Sequence, residues 1–239
     1  MIEKERPDII ALQEVNQYME KERVPTIKEH TPVGEIPLKE SNFALLMHKI
    51  LTAMKLNYQF SWLGIKKGYD RFDEGLAIFS LSRIKEAKSI LLSDTADYNN
   101  FKKRMALLAE TEKGVFINCH LGWENDMEEP FDNQVMRLNA CLNPNKQMYL
   151  AGDFNVPPGR DGYNKITESG WHDTFFMARE RTGEATIKGG IDGWERNKKS
   201  LRIDYIFANR EIDVKRSEVL FDGVKTPQIS DHFGVMVNF

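Results

Sequence analysis

Short apolar runs separated by polar punctuation recur along the whole chain, and their lengths separate strands from helices. "DIIALQEV", after Pro7, is a run of apolar and β-prone residues that predicts a buried strand with Glu14 near its end. Further strands are predicted at "YQFSWLG", "EGLAIFS", "MALLAETE", "GVFINCHLG", "MYLAGDF", "RIDYIFA", "VKRSEVLFD" and "GVMVNF". In "KESNFALLMHKILTAMKLN" the spacing places Phe43, Leu46, Met47, Ile50, Leu51 and Met54 on one helical face, with Ser41 or Asn42 as the cap. A second helix is predicted over about residues 131–142. Many strands with few helices give an α/β (α+β) class of two packed sheets with helices outside.

The irregular stretches at 20–38 and 181–200 exceed the usual loop length and predict insertions that build a site. No shift of composition divides residues 1–239, so a single domain is predicted. "MIEKER" reads as the end of a helix stopped by Pro7, although six residues are too few to nucleate one. It is either a disordered start or the remnant of a longer chain.

Charge narrows the function classes. A net charge of −3 over 239 residues gives no basic excess, which argues against nucleic acid as a partner. Cys119 and Cys141 lie in apolar contexts without metal or redox spacing, as buried free thiols in a reducing compartment would. No apolar window approaches a membrane span and the first residues are charged, so a cytoplasmic location without a membrane partner is predicted.

The candidate chemistry lies where strands end: Glu14, His120, Asp153, Asn155, Asp204, Asp231 and His232. Any one of them alone is an ordinary turn former or a structural histidine. Together they form a set of hard oxygen and nitrogen donors without cysteine, suited to Mg²⁺ or Mn²⁺. Glu14 is the best single ligand candidate. Asp153 and Asn155, two apart on an extended segment, would point the same way, one as base and the other as its orienting neighbour. Imidazoles at His120 and His232 suit phosphoryl oxygens, and a carboxylate such as Asp204 suits the fixing of a tautomer. Phosphate ester hydrolysis needs this inventory: an activated water, and donors around oxygens that gather charge.

"DIIALQEV", "EGLAIFS", "NCHL", "AGDFN", "RIDYIF" and "SDH", in this order, resemble the endonuclease/exonuclease/phosphatase superfamily from Pro7 to the C-terminus. The resemblance implies a four-layer α/β/β/α sandwich with its site where loops of both sheets meet. It implies Glu14 as the Mg²⁺ ligand with Asp231 beside the metal, and Asp153 as the residue that orients or deprotonates the attacking water. Asn155 would contact the phosphate, His120 a non-bridging oxygen, and Asp204 would pair with His232. "GYDRFDEGLAIFS", "IDGWERN", "LRIDYIFAN" and "FDGVKTPQISDH" are most similar to the bacterial maltose 6′-phosphate phosphatases, which implies metal-dependent hydrolysis of a sugar phosphate monoester.

A sugar pocket wants aromatic platforms and planar polar groups, and Trp123, Trp194, Tyr69, Asp70, Arg71 and Asp192 lie in loops near these motifs. Each aromatic among them could equally plug its loop onto the core. Glu74 is placed beside the ligand residues or on the substrate, because superfamily members carry Glu before this Gly. Arg104 reads as part of a solvated charge run, with a phosphate contact as the alternative. Superfamily members begin with a further strand and helix, and this sequence lacks that strand, which predicts about twenty or more residues upstream. Two other readings compete: a phosphodiesterase of the same fold, and a truncated, non-catalytic form. The acidic loop "WENDMEEPFDN" is predicted to repel a nucleic acid.

Overall fold

The computed structural model describes residues 1–191 and 194–239, so Asp192, a predicted sugar contact, lies outside the described residues. The elements run α1 (Ile2–Glu5), β1 (Ile9–Leu12), β2 (Gln17–Tyr18), α2 (Phe43–Ala53), β3 (Gln59–Gly68), β4 (Phe72–Ser80), β5 (Glu86–Leu91), β6 (Met105–Glu110) and β7 (Val115–His120). They continue through α3 (Phe131–Asn139), β8 (Met148–Asp153), α4 (Asp161–Glu168), β9 (His172–Asp173), α5 (Thr174–Met177), β10 (Glu180–Thr182), β11 (Ile187–Lys188), β12 (Ser200–Leu201), β13 (Asp204–Ala208), β14 (Arg216–Leu220) and β15 (Gly234–Asn238).

Three apolar clusters separate four layers. β4 alternates, with Ala77 and Phe79 facing α2, and Leu76 and Ile78 facing the other sheet. The cluster under α2 holds Leu45, Leu51, Phe60, Trp62 and Phe79, whereas the middle cluster joins Leu63, Ile65, Leu76 and Ile78 to Leu107 and Ala109 of β6. On the far side, Ile117, Leu150 and Phe207 pack against Phe131, Val135 and Leu138 of α3 and Ile166 of α4. The chain is thus a mixed α/β sandwich: helix, sheet, sheet, helices. Asn118 of β7 spans the two sheets, donating from Nδ2 to the carbonyls of Leu12 and Ala77 while its Oδ1 accepts from Gln13.

The six-stranded sheet runs β5-β6-β7-β8-β13-β9, and the first sheet joins β1, β2 and β3 to β4. β14 and β15 pair with each other and, with β10, form a separate three-stranded sheet.

The buried face of α2 also differs from expectation. Ala44, Leu45, His48 and Leu51 are buried, whereas Phe43, Leu46, Ile50 and Met54 are exposed. The helix is apolar nearly all round, so its pattern offers two faces, and stacking of His48 on Phe60 selects the narrower one. Asn42 is the cap, accepting from Leu45 N–H. No helix among the described residues is long and apolar enough to cross a membrane.

Candidate active site

The strand ends converge through register. β7 and β8 are parallel and bring His120 beside Asp153, while β13 is antiparallel to β8 and brings Asp204 opposite Asp153. Close approach of β7 to β8 depends on Gly152, where a Cβ would stand 1.9 Å from the Cys119 carbonyl. His232 enters from the segment before β15, bridged to Ile187 of β11. Beneath it, Thr186 Oγ1 accepts from the N–H groups of Ile203 and Asp204.

His232 Nδ1 lies 3.0 Å from Asp204 Oδ2 and its Nε2 3.9 Å from Asp153 Oδ2. Atoms of these three side chains lie within 4.8 Å of one another. Burial works against a charged imidazole, but the hydrogen bond and charge of Asp204, with Asp153 and Asp231, push His232 up to about 9. Asp153 is buried, and that burial, with Asp204 alongside, raises its carboxyl well above the usual range. His120 is shifted the other way: burial first, then the charges of Arg104, Lys66 and His232, hold it neutral. Its Nε2 lies 3.5 Å from Asp153 Oδ2 and its Nδ1 3.9 Å from Glu14 Oε1.

Glu14 leaves β1 in a left-handed conformation, φ 53°, with its side chain opening toward solvent. Although its tip is open, partial desolvation by the surrounding protein and then the charge of Glu74 raise its carboxyl above the ordinary range, and Asp231 adds to the effect. Asp231 itself is exposed and accepts from Ser230 Oγ. Asn155 does not continue the extended segment of Asp153 as expected. β8 ends at Asp153, and Asn155 follows at φ 52°, its N–H bonded to Asp153 Oδ1. The two side chains share only His120 Nε2, and Asn155 reaches beyond it to the Leu121 carbonyl and Trp194, whereas Asp153 faces His232.

Arg104 overturns the solvated reading. It is 4% exposed, its Nε has no hydrogen-bond partner among the described residues, and its guanidinium lies 5.6 Å from the Trp123 ring centroid. Burial lowers its affinity for the proton, partly offset by the charges of Glu74, Asp153 and Glu14. Lys66 was missed altogether. A register shift between Gly64 and Lys66 breaks the alternation of β3, and Lys66 is buried against Glu74 at 3.2 Å, directly across the ladder. Its signal in the sequence is a lysine directly following the apolar stretch Trp62–Ile65 of β3. Glu14, Lys66, Glu74, Arg104 and His120 line one notch of about 10 Å³, the room of a single water-sized atom.

The remaining sugar-contact candidates are scattered. Tyr69, Asp70 and Arg71 form the tip of the β3–β4 hairpin, the first two in left-handed conformation, and there Asp70 pairs with Lys67 and Arg71 covers Phe72. Trp123 and Trp194 do reach the cluster, through Arg104 and Asn155. The 20–38 insertion encloses a cleft of about 570 Å³ with Trp62, lined by none of the clustered acids.

The acidic loop is partly offset by neighbouring cations. Glu124 pairs with Arg160, Asp126 and Glu128 with Lys102, and Asp132 with Lys165. Glu129 is consumed by the N–H groups of Asp94 and Thr95. Arg160, Lys102 and Lys165 offset part of the charge of these five carboxylates and leave a net negative remainder, so repulsion of a polyanion is weaker than the composition alone suggests.

Comparison with known proteins bears on this arrangement. An endonuclease/exonuclease/phosphatase family protein from Leptotrichia buccalis is 26% identical, with a TM-score of 0.84 over 100% of this chain and 90% of its own. A mannosyl-6-phosphatase from Bacteroides thetaiotaomicron is 18% identical, with a TM-score of 0.56 over 88% of this chain and 99% of its own. A Neisseria 3′ phosphatase bound to product DNA hairpin is 17% identical, with a TM-score of 0.65 over 100% and 91%. No curated protein matches the chain. The Endonuclease/Exonuclease/phosphatase family matches residues 1–232, and the chain belongs to that family, whose members are metal-dependent phosphoric ester hydrolases.

Proposed function

We propose that this protein removes phosphate from a sugar phosphate, with maltose 6′-phosphate or a related disaccharide phosphate as the first substrate class to test. One observation carries the reading. Asp153, His120 and His232 converge in front of two buried cations, Lys66 and Arg104, and among the described residues Arg104 Nε has no hydrogen-bond partner and no carboxylate forms an ion pair with the guanidinium. A buried guanidinium with an unpartnered Nε–H is costly, and a phosphoryl group supplies an acceptor for it.

The donor set also fits a divalent cation. Glu14 opens to solvent, with Glu74 and Asp231 adding negative charge around it and, among the described residues, only a histidine nitrogen, at 3.9 Å, as ion-pair partner. Hard carboxylate oxygens of this kind suit Mg²⁺, and Mn²⁺ equally. Glu14 and Asp231 would hold the ion, which when bound supplies Lewis-acid charge to the phosphoryl oxygens. Asp153, in its dry position, accepts the proton of the attacking water. His232, kept cationic by Asp204, donates to a phosphoryl oxygen that gathers charge, and Arg104 and Lys66 stabilise the same oxygens from behind. His120, neutral, contributes an N–H donor.

Support for a sugar comes from Trp123 and Trp194 beside the cluster and from the likeness in fold to a mannosyl-6-phosphatase. A phosphodiester or DNA end is the second reading, favoured by the partial offset of the acidic loop by Arg160, Lys102 and Lys165. The deciding experiment measures inorganic phosphate released from maltose 6′-phosphate, mannose 6-phosphate and a 3′-phosphorylated DNA hairpin, with Mg²⁺ and then with chelator. Metal-dependent release from a sugar phosphate that Asp153→Asn abolishes is the expected result. Release from DNA alone would replace the sugar reading by the second.

A further inference from the structure

The hairpin formed by β11 and β12 touches three site residues at once. At its root, Thr186 holds the N–H of Asp204, and Ile187 bridges His232. At its tip, the Trp194 indole Nε1–H donates to Asn155 Oδ1 at 2.9 Å. The loop carrying Trp194 is tied across its neck, because Asn197 Nδ2 donates to the carbonyls of Gly189 and Lys199.

An indole N–H donates and never accepts, so the Asn155 atom facing it must be the carbonyl oxygen. The opposite side of the amide gives the same answer independently: the Leu121 carbonyl, 3.0 Å away, only accepts, so the atom facing it must be Nδ2. The second proton of that NH₂ points to His120 Nε2 at 3.2 Å. The competing acceptor, Asp153 Oδ2, lies farther from Nε2, at 3.5 Å and without a hydrogen bond, so the nearer amide proton decides: Nε2 presents its lone pair, and the ring proton belongs on Nδ1, the nitrogen facing Glu14.

We propose that Trp194 is a positioning residue: through the Asn155 amide it holds His120 in the Nδ1–H tautomer, aiming that N–H at the mouth of the site. Asn155 then acts through His120, with both amide protons engaged, instead of donating directly to phosphate. The catalytic part of this inference rests on the phosphatase reading, but the tautomer can be measured without turnover.

The test is ¹⁵N NMR of histidine-labelled protein at neutral pH, with the His120 signals assigned by their loss in His120→Gln. The expected wild-type signature is a protonated Nδ1 and an unprotonated Nε2. Trp194→Phe keeps the ring and removes the donor, so the amide is freed to turn and the signature should become mixed. Asn155→Asp removes the proton donated to Nε2 and should invert the tautomer. On whichever phosphate ester the protein hydrolyses, Trp194→Phe should lower kcat by about 10- to 100-fold, the range for loss of a group that orients a functional histidine, with KM changed far less. A wild-type proton on Nε2, or a signature unchanged in Trp194→Phe, overturns the proposal. Failure of every phosphate ester would sink the phosphatase reading and leave the tautomer result standing.

Discussion

His232 bridges two carboxylates, with Nδ1 3.0 Å from Asp204 Oδ2 and Nε2 3.9 Å from Asp153 Oδ2. Asp204 is the nearer and sets the charge of the ring. Asp204→Asn should therefore let His232 lose its proton near neutrality, and activity should fall by about 10²- to 10⁴-fold, the span of acid–base contributions. The sign on stability follows from the raised value. In the folded chain His232 holds its proton up to about 9, against an ordinary 6.5, so the pair's contribution is full below about 6.5 and is lost as pH rises through about 9. Thermal melts from pH 6 to 10 should show a steeper alkaline loss in the native chain than in Asp204→Asn. Parallel curves would mean that Asp204 does not hold the proton.

Arg104→Met should cost about 10²- to 10³-fold in kcat/KM, as loss of a preorganised charge donor does, with Tm moved by only a few degrees. Arg104→Lys should recover part of the loss, since it restores the charge but not the planar fork. Full activity in Arg104→Met would place the phosphoryl group elsewhere.

These two residues mark the limits of reading the site from sequence. Asp204 and His232 are legible because each interrupts an apolar context at a strand end, where a turn alone would not call for it. Arg104 follows two lysines and looks like surface; its burial is created by Trp123 and by the notch beside Lys66, which are distant in sequence. Lys66 is hidden because a bulge changes the parity of β3 after Gly64. The link from Trp194 to His120 passes through an irregular hairpin and a left-handed residue, neither of which leaves a periodic trace. The strands themselves were legible from apolar runs, whereas the face of α2 was not, because that helix is apolar on both sides.

Divalent metal should stabilise the folded chain. At a concentration 100-fold above its Kd, a cation bound only by the native state adds about 2.7 kcal/mol. For a chain of 239 residues that raises Tm by roughly 5–10 °C, and Glu14→Gln should abolish the shift. Calorimetry with Mg²⁺ and with chelator measures it. An equal shift in Glu14→Gln would move the ion to other residues, with Asp153, Asp204 and His232 as the next group to vary.

Behind β13, Arg202 and Asp173 form a buried ion pair at 2.7 Å, with the Tyr163 hydroxyl donating to the same carboxylate oxygen. Asp173→Asn leaves the guanidinium uncompensated and should cost about 3–5 kcal/mol, or roughly 6–20 °C in Tm. Chemical denaturation should show a lower midpoint with an unchanged slope. A loss below about 1 kcal/mol would mean that the neighbouring rings of Phe175, Phe176 and Tyr205 carry the Arg202 charge unaided.

Gly152→Ala tests whether the site depends on the approach of two parallel strands. Gly152 sits at φ 148°, and an added Cβ would stand 1.9 Å from the Cys119 carbonyl oxygen, backbone that cannot rotate away. β7 and β8 would have to separate beside the pair His120 and Asp153, which their ladder places side by side. The variant should therefore lose activity along with several degrees of Tm, and added divalent metal should not restore the activity. Gly159→Ala is the control: it also has positive φ, but its Cβ would meet nothing within 4 Å, so it should carry only the backbone cost of about 1 kcal/mol. Similar activity losses in both variants would show that backbone strain, and not the spacing of β7 and β8, accounts for the defect.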